Sequence, residues 1–369
     1  MPEKITGIVL AGGKSSRMGI NKAFVPFNGK ILIEHSISLM QRICDEVIIS
    51  ANSKQYETFG LPVIHDNYQS IGPIGGIEAA LSYTKTKHNL FIPSDTPFLT
   101  PTLYYELVKN LDDHQAIIPF VRRNQLEPLT AYYSKEILPL IKEQIKKKNY
   151  RIQDLLEKAN VKYLKVPGSD MFKNLNTEVE VQEASGSLKK YFNHMILIAG
   201  DGRNVGKTFL ACKIIRHLSE SAEVIGIKIS PHFHDLQNEE YIVIKNDRYI
   251  IAEEKAITRK DSSLMLQAGA KKVYFIMTRQ EHLKEAFSSI SEKLLNHVIV
   301  CESGGLQELV QPGLFLFVKA KDQYIQKKHL LNNAPIIITN HNKSFDFDVK
   351  SIGYRSNQIN VRLNLFIKR

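Results

Sequence analysis

Three cationic side chains follow a pair of glycines near the amino end of the chain. Residues 9–22 read VLAGGKSSRMGINK, and the chemistry-bearing positions in this stretch are Gly12, Gly13, Lys14, Arg17 and Lys22. Paired glycines allow the backbone to turn tightly and to approach a ligand closely. Exposed main-chain amides and fixed cations there can neutralise phosphates. The stretch predicts a cradle for a nucleoside triphosphate, in which Lys14, Arg17 and Lys22 stabilise charge during catalysis. The alternative is an ordinary glycine-rich turn with solvated bases.

The elements around this cradle predict how it is positioned. Residues 5–10 (ITGIVL) form an apolar run that predicts a buried first strand, and a helical pattern begins near Leu32. To about residue 170, short apolar runs alternate with amphipathic segments. This order favours a Rossmann-like α/β fold, a mostly parallel sheet with helices on both faces. The spacing of the glycines matches neither a Walker A loop nor a dinucleotide fingerprint.

Polar side chains follow three further apolar runs of this half. Asn52 and Asp66 come after the runs at 46–51 and 62–65, and Asp95 follows the run at 89–94. Because open α/β sheets bind ligands outside the carboxyl ends of their strands, we expect Asn52 and Asp66 to orient a nucleoside. A carboxylate beside a triphosphate suits Mg²⁺, so Asp95 is the predicted metal ligand; the alternative is a helix cap.

Two other stretches belong to the same predicted site. Residues 72–78 (GPIGGIE) predict a second glycine-rich turn that opens a helix, either as a second wall of the pocket or as a plain turn. Residues 125–133 (QLEPLTAYY) predict a strand that carries the site of the second substrate.

The motif L-A-G-G-x-S-x-R-M-G-x-x-K resembles the signature of the nucleotidyltransferases that activate sugars and pterins. Within that group the chain is most similar to the molybdenum cofactor guanylyltransferases (the MobA family). Family-like blocks follow in the family's order at 72–76 (GPIGG), 94–98 (SDTPF), 127–132 (EPLTAY) and 175–177 (LNT). The resemblance covers residues 4–183.

The resemblance implies a function and a set of site residues. It implies transfer of GMP from GTP to molybdopterin, with Mg²⁺ as cofactor and pyrophosphate as the second product. It implies the nucleotide-binding positions Leu10, Ala11, Gly12, Lys22, Asn52, Asp66 and Asp95, of which Asp95 holds the metal. Gly13, in the same loop as Gly12, is added to the nucleotide-binding set. Asn176, in the LNT block, is assigned to the acceptor, although it could also cap a helix. Apoproteins of molybdoenzymes are candidate partners.

Alternatives to this function stay open. Ala11-Gly12-Gly13, where cytidylyltransferase relatives carry Ala-Ala-Gly, favours guanine over cytosine. A cytidylyl- or sugar-phosphate nucleotidyltransferase would use the same cradle with another acceptor. A non-catalytic adaptor that delivers cofactor would bind the nucleotide without turnover.

A second phosphate loop is predicted after a small, polar stretch. Residues 186–193 read as a linker, and the strand signal restarts at His194 and leads to GDGRNVGKT at 200–208. The second nucleotide site is assigned to Gly202, Gly206, Lys207, Thr208 and Glu302, with Lys207 on the β/γ phosphates, Thr208 on Mg²⁺ and Glu302 at a Walker-B-like strand end. Asp201 stands where a Walker A loop has glycine, and its charge predicts weaker phosphate binding.

The second half resembles the P-loop accessory proteins of molybdopterin guanine dinucleotide synthesis (the MobB family) over residues 194–318. The resemblance implies a GTP-binding accessory domain. The predicted organisation is therefore a nucleotidyltransferase domain at 1–185, a linker at 186–193 and a P-loop domain at 194–369. Residues 319–369 receive no chemical role.

Composition limits the partners. The chain has 369 residues and a net charge of +11, from 49 lysines and arginines against 38 acidic residues. No nucleic-acid motif accompanies this charge, so polyanionic small molecules are the expected partners rather than nucleic acid. We expect no membrane span, because no apolar run is long enough. The three cysteines form no C-x-x-C pair, which fits the reducing cytoplasm. The sequence does not determine the oligomeric state.

Overall fold

The computed structural model forms two compact units, of which the second is Lys189–Val361. The residues that it describes are 3–12, 21–122, 125–166, 170–172, 175, 189–233, 241–255, 260–295, 297–322, 324–333, 335–342 and 344–363. Within these ranges, no helix is both long enough and apolar enough to cross a bilayer. All three cysteines are free thiols.

The first unit is built on a seven-stranded sheet. Its strands are β1 (Ile5–Leu10), β4 (Glu46–Ser50), β5 (Val63–Ile64), β6 (His88–Pro93), β7 (Ala116–Phe120), β8 (Tyr132–Ser134) and β9 (Val161–Lys165), and a separate hairpin contains β2 (Pro26–Phe27) and β3 (Lys30–Ile31). The order across the sheet is β5-β4-β1-β6-β8-β7-β9. Only β8 runs antiparallel to its neighbours. The expected mostly parallel α/β sheet is confirmed.

Helices connect these strands. They are α1 (Leu32–Ile43), α2 (Pro73–Tyr83), α3 (Pro101–Lys109), α4 (Leu138–Lys146) and α5 (Ile152–Leu156). Helix α1 buries Leu32, Ile33 and Met40 among others, the apolar stripe predicted from its sequence. Gly7 allows this helix to lie close to β1, because a Cβ at Gly7 would stand 2.9 Å from the Cβ of Met40.

One predicted strand of the first unit is much shorter than expected. Of residues 125–133, only Tyr132 and Tyr133 belong to a strand, β8, while Leu126 makes an isolated bridge to Phe120. Pro128 has no N–H to donate to a ladder, so the stretch before β8 turns instead. Glu127 anchors this turn by donating its N–H to the Pro119 carbonyl at 2.9 Å.

The second unit is built on a nine-stranded sheet. Its strands are β10 (Lys190–Gly200), β11 (Val224–Ser230), β12 (Ile242–Lys245), β13 (Tyr249–Glu253), β14 (Lys272–Thr278), β15 (Val298–Glu302), β16 (Val310–Ala320), β17 (Ile336–His341) and β18 (Ser344–Phe345), and β19 (Ile352–Arg355) and β20 (Gln358–Val361) form a hairpin. The order is β12-β13-β14-β11-β15-β10-β16-β17-β18. The six central strands are parallel, and antiparallel pairs occupy both edges.

The helices of the second unit are α6 (Lys207–Leu218), α7 (Asp261–Gln267) and α8 (Leu283–Ser288). Strand β10 is central, and β15 lies on one side of it and β16 on the other. This strand starts at Lys190 rather than at the predicted His194, so part of the expected linker is strand. Residues 186–188 lie outside the described part of the chain.

Candidate functional site

The predicted site residues of the first unit lie along one edge of its sheet. Leu10, Ser50, Ile64 and Pro93 end the four adjacent parallel strands β1, β4, β5 and β6. Ala11 continues from β1 and donates its N–H to the Ser50 carbonyl at 2.9 Å, and Ser94 donates to the Leu10 carbonyl at 3.0 Å. The backbone beyond β1 is therefore fixed from both neighbouring strands at the point where the chain leaves the sheet.

Asn52 and Asp66 form a reciprocal side-chain pair. The Asn52 Nδ2 donates to Asp66 Oδ2 at 2.8 Å, and the Asp66 N–H donates to Asn52 Oδ1 at 2.9 Å. Because the pair joins the residues that follow β4 and β5, two predicted nucleoside-binding groups stand together at the sheet edge. Asn52 is exposed and Asp66 is partly exposed, so both can also contact a ligand.

Asp95 lies two residues beyond the end of β6. Burial raises the pKa of its carboxyl group, and the ammonium group of Lys22 acts in the opposite direction. The structure thus brings Lys22 within electrostatic reach of Asp95, across 73 residues of sequence. Leu175 donates its N–H to the Asp95 carbonyl at 3.2 Å, so part of the LNT block lies beside the predicted metal ligand.

Asp95 has the chemistry of a magnesium ligand that shares the ion with phosphate. Among the described residues, no group of three or more histidine, cysteine and carboxylate side chains is arranged to hold a metal. Mg²⁺ usually keeps several waters and binds through one or two carboxylates together with substrate phosphates. A single carboxylate just beyond the end of β6, within electrostatic reach of Lys22, fits that pattern.

Tyr56 is a site residue that sequence reasoning missed. It lies in the 3₁₀ segment Lys54–Phe59, and only 2% of its surface is exposed. Its hydroxyl donates to the Ala11 carbonyl at 2.9 Å and accepts from Asn21 Nδ2 at 2.9 Å. Ala11 and Asn21 flank the predicted phosphate loop, so one phenol connects both of its ends. Nothing in the sequence around Tyr56 signals this role.

The second glycine-rich stretch has mainly a packing function. Gly75 and Gly76 are buried inside α2, whose first residue is Pro73, and Gly72 precedes it with a φ of 78°. A Cβ at Gly76 would stand 2.9 Å from Ser50 Oγ and 3.6 Å from Asp66 Oδ1. The absence of a side chain at Gly76 thus lets α2 pack beside the Asn52–Asp66 pair.

Several predicted residues fall outside the described part of the chain. These are Gly13, Lys14, Arg17 and Asn176. Gly12 is the last described residue before the loop, and it is exposed.

The five residues predicted for the second nucleotide site meet in one cavity of the second unit. Gly202, Gly206, Lys207, Thr208 and Glu302 all line a cavity of about 2080 Å³. Gly206 has a φ of 102° and directly precedes α6, so the loop turns into the helix at that residue. The Lys207 ammonium donates to the Gly202 carbonyl across the loop.

Carboxylates surround the start of α6. Thr208 Oγ1 donates to Glu302 Oε2 at 2.8 Å, which joins the helix start to the end of the neighbouring strand β15. Lys228 donates to the other oxygen of Glu302 and, at 2.9 Å, to Asp261. Burial alone lowers the pKa of Lys228, but these two carboxylates raise it above its ordinary value. Burial lowers the pKa of Lys207.

The structure places the Asp201 charge away from this cavity. Asp201 is not among the residues that line it, and only 2% of its surface is exposed. Its carboxylate accepts the main-chain N–H groups of Gln326 and Lys327 at 2.8–3.0 Å. The expectation that this charge weakens phosphate binding assumed that the side chain faces the loop interior. It faces residues 326–327 instead.

Comparison with known proteins identifies the first unit. Residues 7–163 match the MobA-like NTP transferase domain. The chain is 34% identical over 188 residues to a probable molybdenum cofactor guanylyltransferase of Flavobacterium johnsoniae, an alignment that covers 50% of this chain and 99% of that protein. It is 32% identical to the molybdenum cofactor guanylyltransferase of Yersinia pestis (strain Pestoides F), covering 49% of this chain and 94% of that protein.

A solved structure is also similar. It is the molybdopterin-guanine dinucleotide biosynthesis protein A from Archaeoglobus fulgidus, with 27% sequence identity and a TM-score of 0.43, and the match covers 49% of this chain and 97% of that one. The family assignment rests on the two guanylyltransferases above, which this chain matches over nearly their full length. Through its first unit, this chain belongs to the molybdenum cofactor guanylyltransferases, a family of nucleotidyltransferases.

Proposed function

We propose that the first unit transfers GMP from GTP to the terminal phosphate of molybdopterin and releases pyrophosphate. The observation that carries the proposal is the alignment of Ala11, the Asn52–Asp66 pair and Asp95 along one sheet edge, in a chain that belongs to this family. The names of the relatives supply the two substrates.

The nucleoside is held by the polar pair. The Watson–Crick edge of guanine presents N–H donors, and the Asp66 carboxylate and the Asn52 amide offer acceptors at an exposed position. The pair already constrains both side chains, so little rotamer entropy is lost when a base binds. Cytosine has a different donor pattern, and this difference makes the pair a source of base selectivity.

The transfer step needs alignment and charge neutralisation rather than a nucleophilic side chain. A phosphate oxygen of the acceptor attacks the α-phosphorus of GTP, and the bond from that phosphorus to the bridging oxygen of pyrophosphate breaks. Lys22, the loop amides and the loop cations Lys14 and Arg17 stabilise charge on the leaving group. Asp95 would hold Mg²⁺, which when bound would supply positive charge to the triphosphate.

We also propose that the second unit binds GTP as an accessory to the first. Lys207, Thr208 and Glu302 supply a phosphate-directed ammonium, a hydroxyl and a carboxylate around one cavity. This arrangement suits a magnesium–triphosphate complex.

Product analysis tests the proposal for the first unit. The full chain is incubated with GTP, Mg²⁺ and molybdenum cofactor, and products are identified by mass and by pyrophosphate release. We expect the guanine dinucleotide of molybdopterin together with pyrophosphate. If product forms when CTP replaces GTP and none forms with GTP, the cytidylyl alternative is favoured. Bound GTP without pyrophosphate release would point to an adaptor.

Asp95→Asn tests the assigned metal ligand in the same assay. We expect turnover to fall by at least about 10²-fold, because the neutral amide is a poor Mg²⁺ ligand while its shape preserves the fold. Asp113→Asn, at an exposed carboxylate outside the sheet edge, is the matched control. Wild-type turnover of Asp95→Asn at saturating Mg²⁺ would remove the assigned role.

A further inference from the structure

The segment that follows β16 contributes to the cavity of the second unit, although the sequence of this segment carries no motif. We propose that Lys327 is a phosphate-binding cation of this cavity and that Asp201 acts as the positioning residue that holds it there. The inference rests on the proposed nucleotide binding of the second unit, and it gives a function to part of the 319–369 region.

The backbone of the segment is fixed by one buried carboxylate. Asp201 Oδ1 accepts the N–H groups of Gln326 at 3.0 Å and Lys327 at 2.8 Å, and its Oδ2 accepts that of Gln326 at 2.9 Å. The Asp201 N–H itself donates to the Val318 carbonyl of β16 at 3.0 Å. Hydrogen bonds to an ionised group are stronger than neutral ones, so this anchor is stiff.

The side chain of Lys327 is directed to the cavity. It is exposed and lines the same space as Gly202, Arg203 and Lys207. Its positive charge is close enough to contribute to lowering the pKa of Lys207. The next residue points elsewhere, since the Lys328 ammonium lies 5.1 Å from the centroid of the Tyr324 ring. The anchor thus selects one lysine of the pair for the cavity.

The charges beside the start of α6 explain why a further cation is useful there, while the rest of the cavity is lined by Arg203, Lys213, Arg216 and Lys260 and by Glu253 and Glu254. Glu302 and Asp261 place negative charge beside the start of α6, and Lys228 is already paired with both of them. A triphosphate entering this space needs further positive charge. Lys207 at the start of α6 and Lys327 in the segment after β16 can both provide it. A glycine at position 201 would have no carboxylate to hold residues 326–327, so the aspartate gives this loop position a role in placing them.

The absence of tryptophan allows a local binding signal. The chain has no tryptophan, and Phe209 lines the cavity of the second unit with 38% of its surface exposed. A full-length Phe209→Trp protein therefore reports binding near this cavity by fluorescence. GTP with Mg²⁺ is the probe, and its affinity is measured in this background for Lys327→Met, Asp201→Asn and the double variant.

We expect Lys327→Met to weaken GTP binding about tenfold and to reduce its salt dependence, because one cation–phosphate contact is lost. Asp201→Asn should weaken binding by a similar factor, and the double variant no more than either single one, since both act through one ammonium group. Lys328→Met, the adjacent lysine directed at Tyr324, should bind GTP like the parent.

Each other outcome has a definite meaning. Parent-like affinity of Lys327→Met, or multiplying losses in the double variant, would overturn the inference while leaving nucleotide binding in place. If the parent gives no signal change with GTP, the proposed nucleotide binding of the second unit fails, and if Lys207→Ala binds as tightly as the parent, the assignment of that binding to the loop before α6 fails. Lys327→Met replaces an exposed side chain, so it tests the inference even if Asp201→Asn does not fold.

Discussion

Single side chains fix the backbone around both predicted phosphate loops. Tyr56 joins Ala11 to Asn21, and Asp201 joins the second loop to residues 326–327. The sequence predicted neither of these two roles. Tyr56 has no motif, and Asp201 was expected to repel phosphate. In both cases a buried polar side chain beside a predicted binding loop holds the neighbouring backbone in place.

Tyr56→Phe tests this constraint in the first unit. The ring stays, but the hydroxyl that contacts Ala11 and Asn21 is lost, so we expect the KM for GTP to rise about tenfold, since each hydrogen bond is worth roughly 0.5–1.5 kcal/mol. The KM for molybdopterin should stay near its wild-type value.

Initial rates with each substrate varied in turn provide the measurement. Tyr83→Phe, on the exposed end of α2, is the matched control. Equal losses for both substrates would indicate a general loss of structure rather than a role in holding the nucleotide loop.

At the scale of elements, the site depends on how closely α2 and α1 pack on their strands. Gly7 and Gly76 are the contact points, where a Cβ would stand 2.9 Å from atoms of Met40 and Ser50. Close approach of α2 brings the Asn52–Asp66 pair and the helix into contact. Strand order then sets which residues meet, because β4 lies next to β1 on one side, with β5 beyond it, and β6 lies next to β1 on the other side.

Gly76→Ala measures the importance of this packing. The new methyl group must displace Ser50 Oγ or move α2, and we expect a loss of about 1–3 kcal/mol in unfolding free energy together with weaker GTP binding. Denaturant unfolding and nucleotide titration are the measurements.

The double variant Gly76→Ala/Ser50→Ala removes the clashing hydroxyl and should recover much of the lost stability. Gly353→Ala, where a Cβ meets no atom within 4 Å, is the control for the substitution itself. An unchanged unfolding midpoint in Gly76→Ala would show that the close approach of α2 to Ser50 does not limit the stability of the fold.

At the scale of the whole molecule, the chain carries two compact α/β units, and in the second of them helix α6 begins soon after the central strand β10 ends. Family membership is established through the first unit. Because the proposed transfer chemistry needs only residues of that unit, the second loop should contribute to nucleotide binding without entering the transfer step.

Lys207→Ala tests this division of labour. We expect GTP binding at the second unit to weaken at least about tenfold, and any slow GTP hydrolysis there to be lost, because the phosphate-directed ammonium is removed. GMP transfer with saturating free substrates should change by less than about twofold, because the proposed transfer step uses residues of the first unit alone.

Isotope-labelled GTP distinguishes transfer from hydrolysis in a single assay. Lys245→Ala, at an exposed position of β12, is the control. A large fall in transfer rate for Lys207→Ala would show that the two loops act together. Equal hydrolysis by the wild type and Lys207→Ala would mean that the second loop does not hydrolyse GTP.

The sequence by itself determined the elements and the groups that end them. Apolar runs predicted β1, β4, β5 and β6, and the polar residues after the last three placed Asn52, Asp66 and Asp95 at strand ends, because strand periodicity and turn chemistry are local properties. The family motifs predicted a nucleotidyltransferase for the same reason, since they are contiguous in sequence. The stretch before β8 was overpredicted as strand, where Pro128 interrupts the ladder.

The tertiary structure alone decided which distant residues meet. Tyr56 reaches Ala11 across 45 residues, and Asp201 reaches Gln326 across 125. Such contacts depend on strand order and on the path of the chain after β16, neither of which is encoded in local periodicity. That is why the direction of the Asp201 side chain, and with it the place of Lys327, could not be predicted from the residues around them.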